Sequence, residues 1–537
     1  MQPAAIGGVS SYIEHDRMQS LGDIARYHAE RRGHAPAFRF EGRTTSYAEL
    51  NDRSNRVANG LVADGIGPGD RVAYLGKNSD YYFELLLGCV KAGAVITPIN
   101  WRLAAPEIAY IMADAGAKAL FVGKELIDLI NPIGPAMPHV RLIATMETQA
   151  PNLLRYEEWR DSHSDGDPAI EISADSPAFQ LYTSGTTGRP KGAMLSHRAV
   201  LGMRRCIALA DFEWNRWTPD DVGLLAMPVG HIAGTGWGIT SLYNGAMSVI
   251  AREFNPRDVL EYVERDRVSK LFLVPAALQI VARDPRARST DYSRLKCIFY
   301  GASPIPLDLL RECMDVFGCG FAQQYGMTET CGTIIVLPPE DHSVDGSARM
   351  RSAGKPLPGV EVRILDERGM PVAVRTIGEI ATRSIANMSG YWNLPEATSA
   401  ALSPDGWLRT GDAGFMDEDG YVYIHDRVKD LIISGGENIY PAEVENAIFG
   451  HPEVADVAVI GVPDEKWGES VKALVVRKAG ALTSDADIIA WARERIAHFK
   501  APKSVDFIAV LPRNASGKIL RRELREPYWK ALGRRVN

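Results

Sequence analysis

Residues 71–100 read RVAYLGKNSDYYFELLLGCVKAGAVITPIN. Arg71–Leu75 is a short apolar run closed by Gly76, the signature of a buried strand. Residues 79–92 carry apolar side chains at helical spacing, and Ala94–Pro98 begins a second strand. A helix between two such strands is a crossover connection, so the strands run parallel. The alternation continues through a helix over 105–115 and a strand at Ala119–Val122. Upstream, Thr45-Ser46-Tyr47-Ala48-Glu49 offers a capping box, with Ser46 as N-cap and Glu49 three residues on, and Leu50, Val57 and Leu61 follow on one helical face.

The same rhythm returns after residue 220, with strands near 222–226, 246–250, 270–274, 297–300 and 320–324. Two doubly wound sheets are expected. From about 358 to 425 short alternating runs such as Val360–Ile364 and Tyr421–Ile424, separated by Asp-Glu-Arg-Gly and Asp-Glu-Asp-Gly turns, predict a small β-rich subdomain. Beyond it, strands at Val457–Ile460 and Ala473–Val476 and a helix over 485–498 predict a separate small α+β domain. The fold class is α/β, divided into a large region over 1–428 and a mobile domain over 429–537.

The chain has 537 residues, 46% apolar and 24% charged, with a net charge of −7. This excludes a disordered or fibrous protein and provides no general attraction for nucleic acid. Residues 493–537 hold twelve Lys/Arg and four Asp/Glu, so any polyanion is met locally. Six scattered cysteines without a C-x-x-C pair indicate reduced core thiols. The first twenty residues lack the basic and apolar regions of a secretory signal. Residues 222–251 contain no Asp, Glu, Lys or Arg, but Pro228, His231, Asn244 and six glycines favour a buried segment lining a site over a membrane span. A cytoplasmic protein is expected.

The densest chemical signal is Leu181-Tyr182-Thr183-Ser184-Gly185-Thr186-Thr187-Gly188-Arg189-Pro190-Lys191-Gly192. Glycines let backbone N–H groups converge on an anion, the hydroxyls add donors, and Lys191 supplies a point charge. The spacing differs from the P-loop, which needs G-x-x-x-x-G-K-[ST] and opens a helix, because the strand-like run Ala193–Leu195 follows here.

This loop resembles the signature of the adenylate-forming superfamily, which contains acyl-CoA synthetases, carrier-loading adenylation domains and beetle luciferases. Further segments match in family order: Tyr300-Gly301-Ala302-Ser303-Pro304, Gln324-Tyr325-Gly326-Met327-Thr328-Glu329, Gly406–Asp412, Asp426-Arg427-Val428-Lys429-Asp430 and Pro512–Lys518. The resemblance implies ATP contacts from Thr183, Ser184, Gly185, Thr186, Thr187, Gly188 and Lys191, with Gly301, Ala302 and Ser303 beside the nucleotide. By the same resemblance Tyr325 stacks on adenine, Asp412 accepts the ribose hydroxyls, and Arg427 holds ribose or phosphate. Thr328 and Glu329 serve phosphate and Mg²⁺, and Lys518 stabilises charge at the α-phosphate. Lys429 matches the hinge position.

The resemblance places CoA against Gly435, Gly436, Trp467, Lys500 and Lys503, although Phe499-Lys500-Ala501-Pro502-Lys503 departs from an aryl-CoA ligase pattern that has Arg at the position of Ala501. It frames the acyl group with His231, Trp237, Gly301 and Gly326. Amino-acid-loading relatives carry an acid in the region of 222–251, and none occurs here, so an unpaired substrate ammonium would be costly and an apolar acid is favoured. The implied activity is AMP-forming acyl-CoA synthesis, with ATP, Mg²⁺ and coenzyme A. A medium- or long-chain fatty acid leads; aryl and alicyclic acids, or loading of a phosphopantetheine carrier protein, are the alternatives. A homodimer is compatible with this reading.

Overall fold

The computed structural model describes residues 13–183, 189–427, 430–434, 437–514 and 518–530. The capping box forms as read: Ser46 Oγ accepts from the Glu49 N–H at 3.2 Å, and Glu49 Oε2 accepts from the Ser46 N–H at 2.8 Å, opening the helix Tyr47–Ala63. Arg71–Leu75, Val95–Ile99 and Ala119–Gly123 are adjacent parallel strands joined by the helices Asp80–Lys91 and Ala105–Ala115. Val95–Ile99 and Ala119–Gly123 are buried at every position, as expected of strands covered on both faces.

These strands belong to an eight-stranded sheet. Its far side carries the antiparallel strands Pro177–Thr183 and Lys191–Ser196, so the glycine-rich sequence is followed by a strand and not by a helix. A nine-stranded sheet holds Gly320–Met327, Cys297–Gly301, Lys270–Leu273, Val222–Leu225 and Met247–Ile250 as parallel neighbours. It also takes in an early segment: Pro36–Phe40 pairs parallel with Met247–Ile250. Val360–Leu365, Gly378–Ser384, Leu408–Met416 and Val422–Arg427 form the small β-rich sheet.

The carboxy-terminal part builds its own sheet and core around Val459, Val471, Val475 and Ile488. The helix expected over 485–498 ends at Arg493. Its apolar spacing continues to Ile496, but the chain turns away to deliver Ser504–Phe507 as a strand parallel to Gly468–Arg477. Tertiary pairing therefore overrides the local period. Among the described residues no helix is long and apolar enough to cross a membrane.

Several histidines are locked into this core as neutral rings. Burial pushes His28, His197 and His342 each down to about 4. Their folded values lie below the unfolded value, so the unfolded chain takes up protons that the folded chain refuses as pH falls. Stability is therefore expected to drop between about pH 6.5 and pH 4, by roughly 1 kcal/mol per ring at pH 5.5, and to change little above pH 7.5. Thermal melts at pH 7.5 and 5.5 check this. An unchanged midpoint would contradict it.

Candidate active site

The site forms where parallel strands of the nine-stranded sheet end. Gly320–Met327 delivers Thr328 and Glu329, its neighbour Cys297–Gly301 delivers Ala302, and Val222–Leu225 leads through Pro228 to His231. Ligands of open α/β sheets collect at such carboxyl edges. Two glycines there are fixed by contact: a Cβ on Gly301 would lie 2.0 Å from the Gln324 carbonyl oxygen, and one on Gly326 would lie 1.8 Å from that of Gly332. Ala302 adopts φ +68, a left-handed backbone that non-glycine residues rarely take, and it lines the cavity.

One cavity of about 1600 Å³ opens along this edge. Its lining includes Thr183, Lys191, Thr328, Glu329, His231 and Lys518. Glu329 is only 5% exposed; the Tyr391 hydroxyl donates to its Oε1 at 2.8 Å, and the Thr183 hydroxyl lies 3.4 Å from the same atom. Lys191 Nζ sits 5.1 Å from the Tyr391 ring centre. Hydroxyl, carboxylate and ammonium thus converge from both large sheets.

His231 caps the helix Ile232–Tyr243, its Nδ1 accepting from the Ala233 N–H at 3.2 Å. The ring proton therefore resides on Nε2. Burial, and then the nearby Lys518 ammonium, lower His231 to about 4, so it is neutral at pH 7. Lys518 reaches this point from the carboxy-terminal unit. Its backbone N–H donates to Asn514 Oδ1 at 2.9 Å, its carbonyl accepts from the Asn514 N–H at 2.8 Å, and Arg513 is anchored to Asp456 at 2.8 Å.

Tyr325 and Asp412 meet, the tyrosine hydroxyl donating to Asp412 Oδ2 at 2.6 Å; neither lines the cavity, although Gln324, Gly326 and Gly411 beside them do. Asp412 lies in register with Arg427, of which only the backbone is described. Trp237 is buried against Trp217, Phe272 and Phe299, with ring centres 5.2 to 6.4 Å away, and forms part of an aromatic wall.

Other expected contacts are not gathered here. Trp467, 40% exposed, stands in the turn between the strands Val454–Asp464 and Gly468–Arg477 with Lys466 and Lys503 ammonium groups 4.6 and 5.4 Å from its ring centre, and Lys500 pairs with Glu443 at 2.7 Å; none of them lines the cavity. Gly301 and Ser303 likewise lie outside the lining. Ser184, Gly185, Thr186, Thr187 and Gly188, the hinge position Lys429, and Gly435 and Gly436 lie outside the described residues.

Residues 25–392 match the model of the AMP-binding enzyme, and residues 443–518 match the AMP-binding enzyme C-terminal domain. The chain belongs to the AMP-binding enzyme family. This AMP-binding enzyme is 42% identical to a fatty acid–[acyl-carrier-protein] ligase from Streptomyces coeruleorubidus, over 98% of its own length and 99% of the relative's. It is 41% identical to a feruloyl-CoA synthase from an Amycolatopsis species, over 95% and 100% of the two chains. Among solved structures, ATP-bound MatB from Rhodopseudomonas palustris superposes with a TM-score of 0.85 at 34% identity, covering 95% of this chain and 99% of that one. The protein is an adenylate-forming ligase of the acid–thiol class, built on the α/β fold of that superfamily.

The sequence reading missed Arg204. It enters the cavity wall from the helix His197–Ala210, bonded to Val200 O, Gly236 O and Thr240 Oγ1. The available signal was its position four residues after buried Val200 and one after buried Met203, on the apolar face of the helix.

Proposed function

We propose that this AMP-binding enzyme is an acyl-CoA synthetase acting on a largely apolar carboxylic acid, with a medium- or long-chain fatty acid as first choice. The observation that supports this is a single cavity lined both by Lys518, His231, Thr183 and Glu329 and by Trp237, Met203, Ile207 and Leu209. Met203 to Leu209 spans about 9 Å of helix, a path suited to an extended acyl chain.

In the proposed reaction a carboxylate oxygen attacks the α-phosphorus of ATP, the new O–P bond forms, and the bond to the β-phosphate oxygen breaks with its electron pair leaving on pyrophosphate. Lys518 stabilises the charge that develops there, and the His231 Nε2–H steadies the carboxylate. The CoA sulfur then attacks the acyl carbon, the acyl–O bond breaks, AMP departs and the thiol proton passes to solvent. Trp467 with Lys466 and Lys503 forms a cationic aromatic patch suited to the second reaction, which requires the carboxy-terminal unit, proposed to begin near Lys429, to turn that face inward.

Mg²⁺ fits the donor set. Among the described residues no group of three His, Cys, Asp or Glu could cage a metal, whereas Glu329 provides one buried hard oxygen beside Thr183. Mg²⁺ commonly takes one or two carboxylates and completes its shell with phosphates and water. Glu329 would hold it, and the ion would neutralise phosphate charge.

A carboxylic-acid panel assayed separately for pyrophosphate, CoA thioester and acylated carrier protein tests the reading. Acylation of the carrier without turnover of free CoA would favour the alternative acceptor, and aryl acids exceeding every straight-chain acid tenfold would replace the fatty-acid choice. Each methylene that is fully buried is worth about 0.8 kcal/mol, so kcat/KM is expected to rise with chain length until the cavity is filled. Trp237→Ala should move the preferred length or bulk upward. An equal loss for every acid, with lowered thermal stability, would assign Trp237 to the core alone.

A further inference from the structure

The acyl wall is short of acceptors. Arg204 donates Nη1 to Val200 O at 2.6 Å, Nη2 to Gly236 O at 2.7 Å and Nε to Thr240 Oγ1 at 3.2 Å. A guanidinium has five N–H donors, so these bonds leave capacity for a further partner. No described carboxylate pairs with it. The contrast with its neighbour is direct: Arg205 pairs with Asp16 at 2.5 Å. The titratable neighbours that bear on Arg204 among the described residues are Cys331 and Tyr243, which burial pushes well up and keeps neutral at pH 7, and burial lowers the guanidinium to about 10, so the cation persists there with no described anion to offset it.

Two more donors share this wall. The indole Nε1 atoms of Trp217 and Trp237 are buried without a hydrogen-bond partner, and both rings line the cavity. A buried donor without an acceptor costs free energy that a ligand oxygen would recover, and Arg204, half-buried and already bonded to three oxygens, keeps further N–H groups for the same acceptor. The position is also defined. Gly236, whose carbonyl holds Nη2, lies five residues after His231 on the same helix, about 7–8 Å along its axis from the end where carboxyl activation is proposed.

We infer that the preferred acid carries a second oxygen, as a hydroxyl, ether or carboxylate, about 7–8 Å from the reacting carboxyl group, and that Arg204 is the residue that selects for it. This rests on the acid-activating role proposed above and narrows it. The rest of the acyl group stays apolar, to match Met203, Ile207 and Phe272. The oxygen accepts from the guanidinium N–H groups left over by Val200, Gly236 and Thr240, and an acid without it leaves those donors unmatched inside the wall.

Matched acids test the inference on the purified full chain, with pyrophosphate release as the readout: hexanoate against 6-hydroxyhexanoate and hexanedioate, and cinnamate against 4-hydroxycinnamate. The oxygenated member of at least one set is expected to have a kcat/KM at least tenfold above its parent. Hexanedioate leading identifies an anionic partner, and a hydroxy acid leading identifies a neutral one. Arg204→Met should bring the ratio to within about twofold of unity, while Arg204→Lys keeps part of the preference. Gly236→Ala offers a second route if Arg204→Met does not fold, because its Cβ would stand 3.4 Å from Arg204 Nη2, an ordinary contact that leaves the side chain in place and takes up space a ligand oxygen would need beside that donor. It too should lower the ratio. Turnover of the parent acids with no oxygen preference, or a preference unchanged in Arg204→Met, overturns the role of Arg204 and leaves the ligase reading standing. No pyrophosphate from any acid overturns both.

Discussion

Replacing Lys518 by Ala is expected to slow acyl-adenylate formation by about 10²–10³-fold, about 2.7–4 kcal/mol of transition-state stabilisation, while a supplied acyl-adenylate still reacts with CoA at a rate near that of the parent protein. The reasoning is geometric. Asn514 binds both the N–H and the carbonyl of Lys518, and Arg513 is tied to Asp456, so the backbone that presents the ammonium is fixed in advance. That ammonium lies close enough to His231 to help lower its basicity. A cation held at this place in a low-dielectric cavity loses little on reorganisation when negative charge builds on the transferring phosphoryl group. In the proposed second reaction, with AMP as the leaving group, it has no comparable task. Adenylation is read from pyrophosphate release and thioester formation from single turnover of the adenylate. Equal damage to both half-reactions in a folded variant would remove the division of labour.

How much of this was legible in the sequence depends on whether the responsible contacts are local. The run 71–100 was readable because strands covered on both faces are continuously apolar and the intervening helix keeps its own period. Ser46 and Glu49 were readable because a capping box is satisfied within four residues. Pairing across long separations was not. Pro36–Phe40 belongs to the same sheet as Met247–Ile250, and nothing within either strand encodes the other. Arg204 shows the same limit at the site. The segment 222–251 is uncharged as the sequence suggests, yet the wall it forms is completed by a cation from a helix that ends at Ala210. The Thr183–Lys191 segment, Thr328 and Glu329, and Lys518 were singled out by motif, but that Tyr391 would bind Glu329 had no sequence signal, because the two are joined only when the strands at Gly320–Met327 and Gly390–Tyr391 come together.

That contact frames the second large effect. Glu329→Gln is nearly isosteric and keeps an oxygen able to accept from the Tyr391 hydroxyl, so it removes the negative charge while sparing the hydrogen bond at 2.8 Å. If the carboxylate holds Mg²⁺ against the nucleotide phosphates, its loss should reduce adenylation about 100-fold, near 2.7 kcal/mol, and raise the Mg²⁺ concentration needed for half-maximal rate about tenfold or more. Tyr391→Phe makes the complementary change. It deletes one neutral donor to a charged acceptor and should cost about 1.5–3 kcal/mol of local stability, with a smaller loss in rate and little shift in metal requirement. The two variants therefore separate charge from scaffolding at one residue 5% exposed to solvent. Rates measured across a Mg²⁺ titration, together with thermal melts, distinguish them. If Glu329→Gln and Tyr391→Phe lower the rate equally and neither moves the Mg²⁺ dependence, then Glu329 braces the strand end after Met327, and the metal must draw its protein oxygen from elsewhere along the cavity.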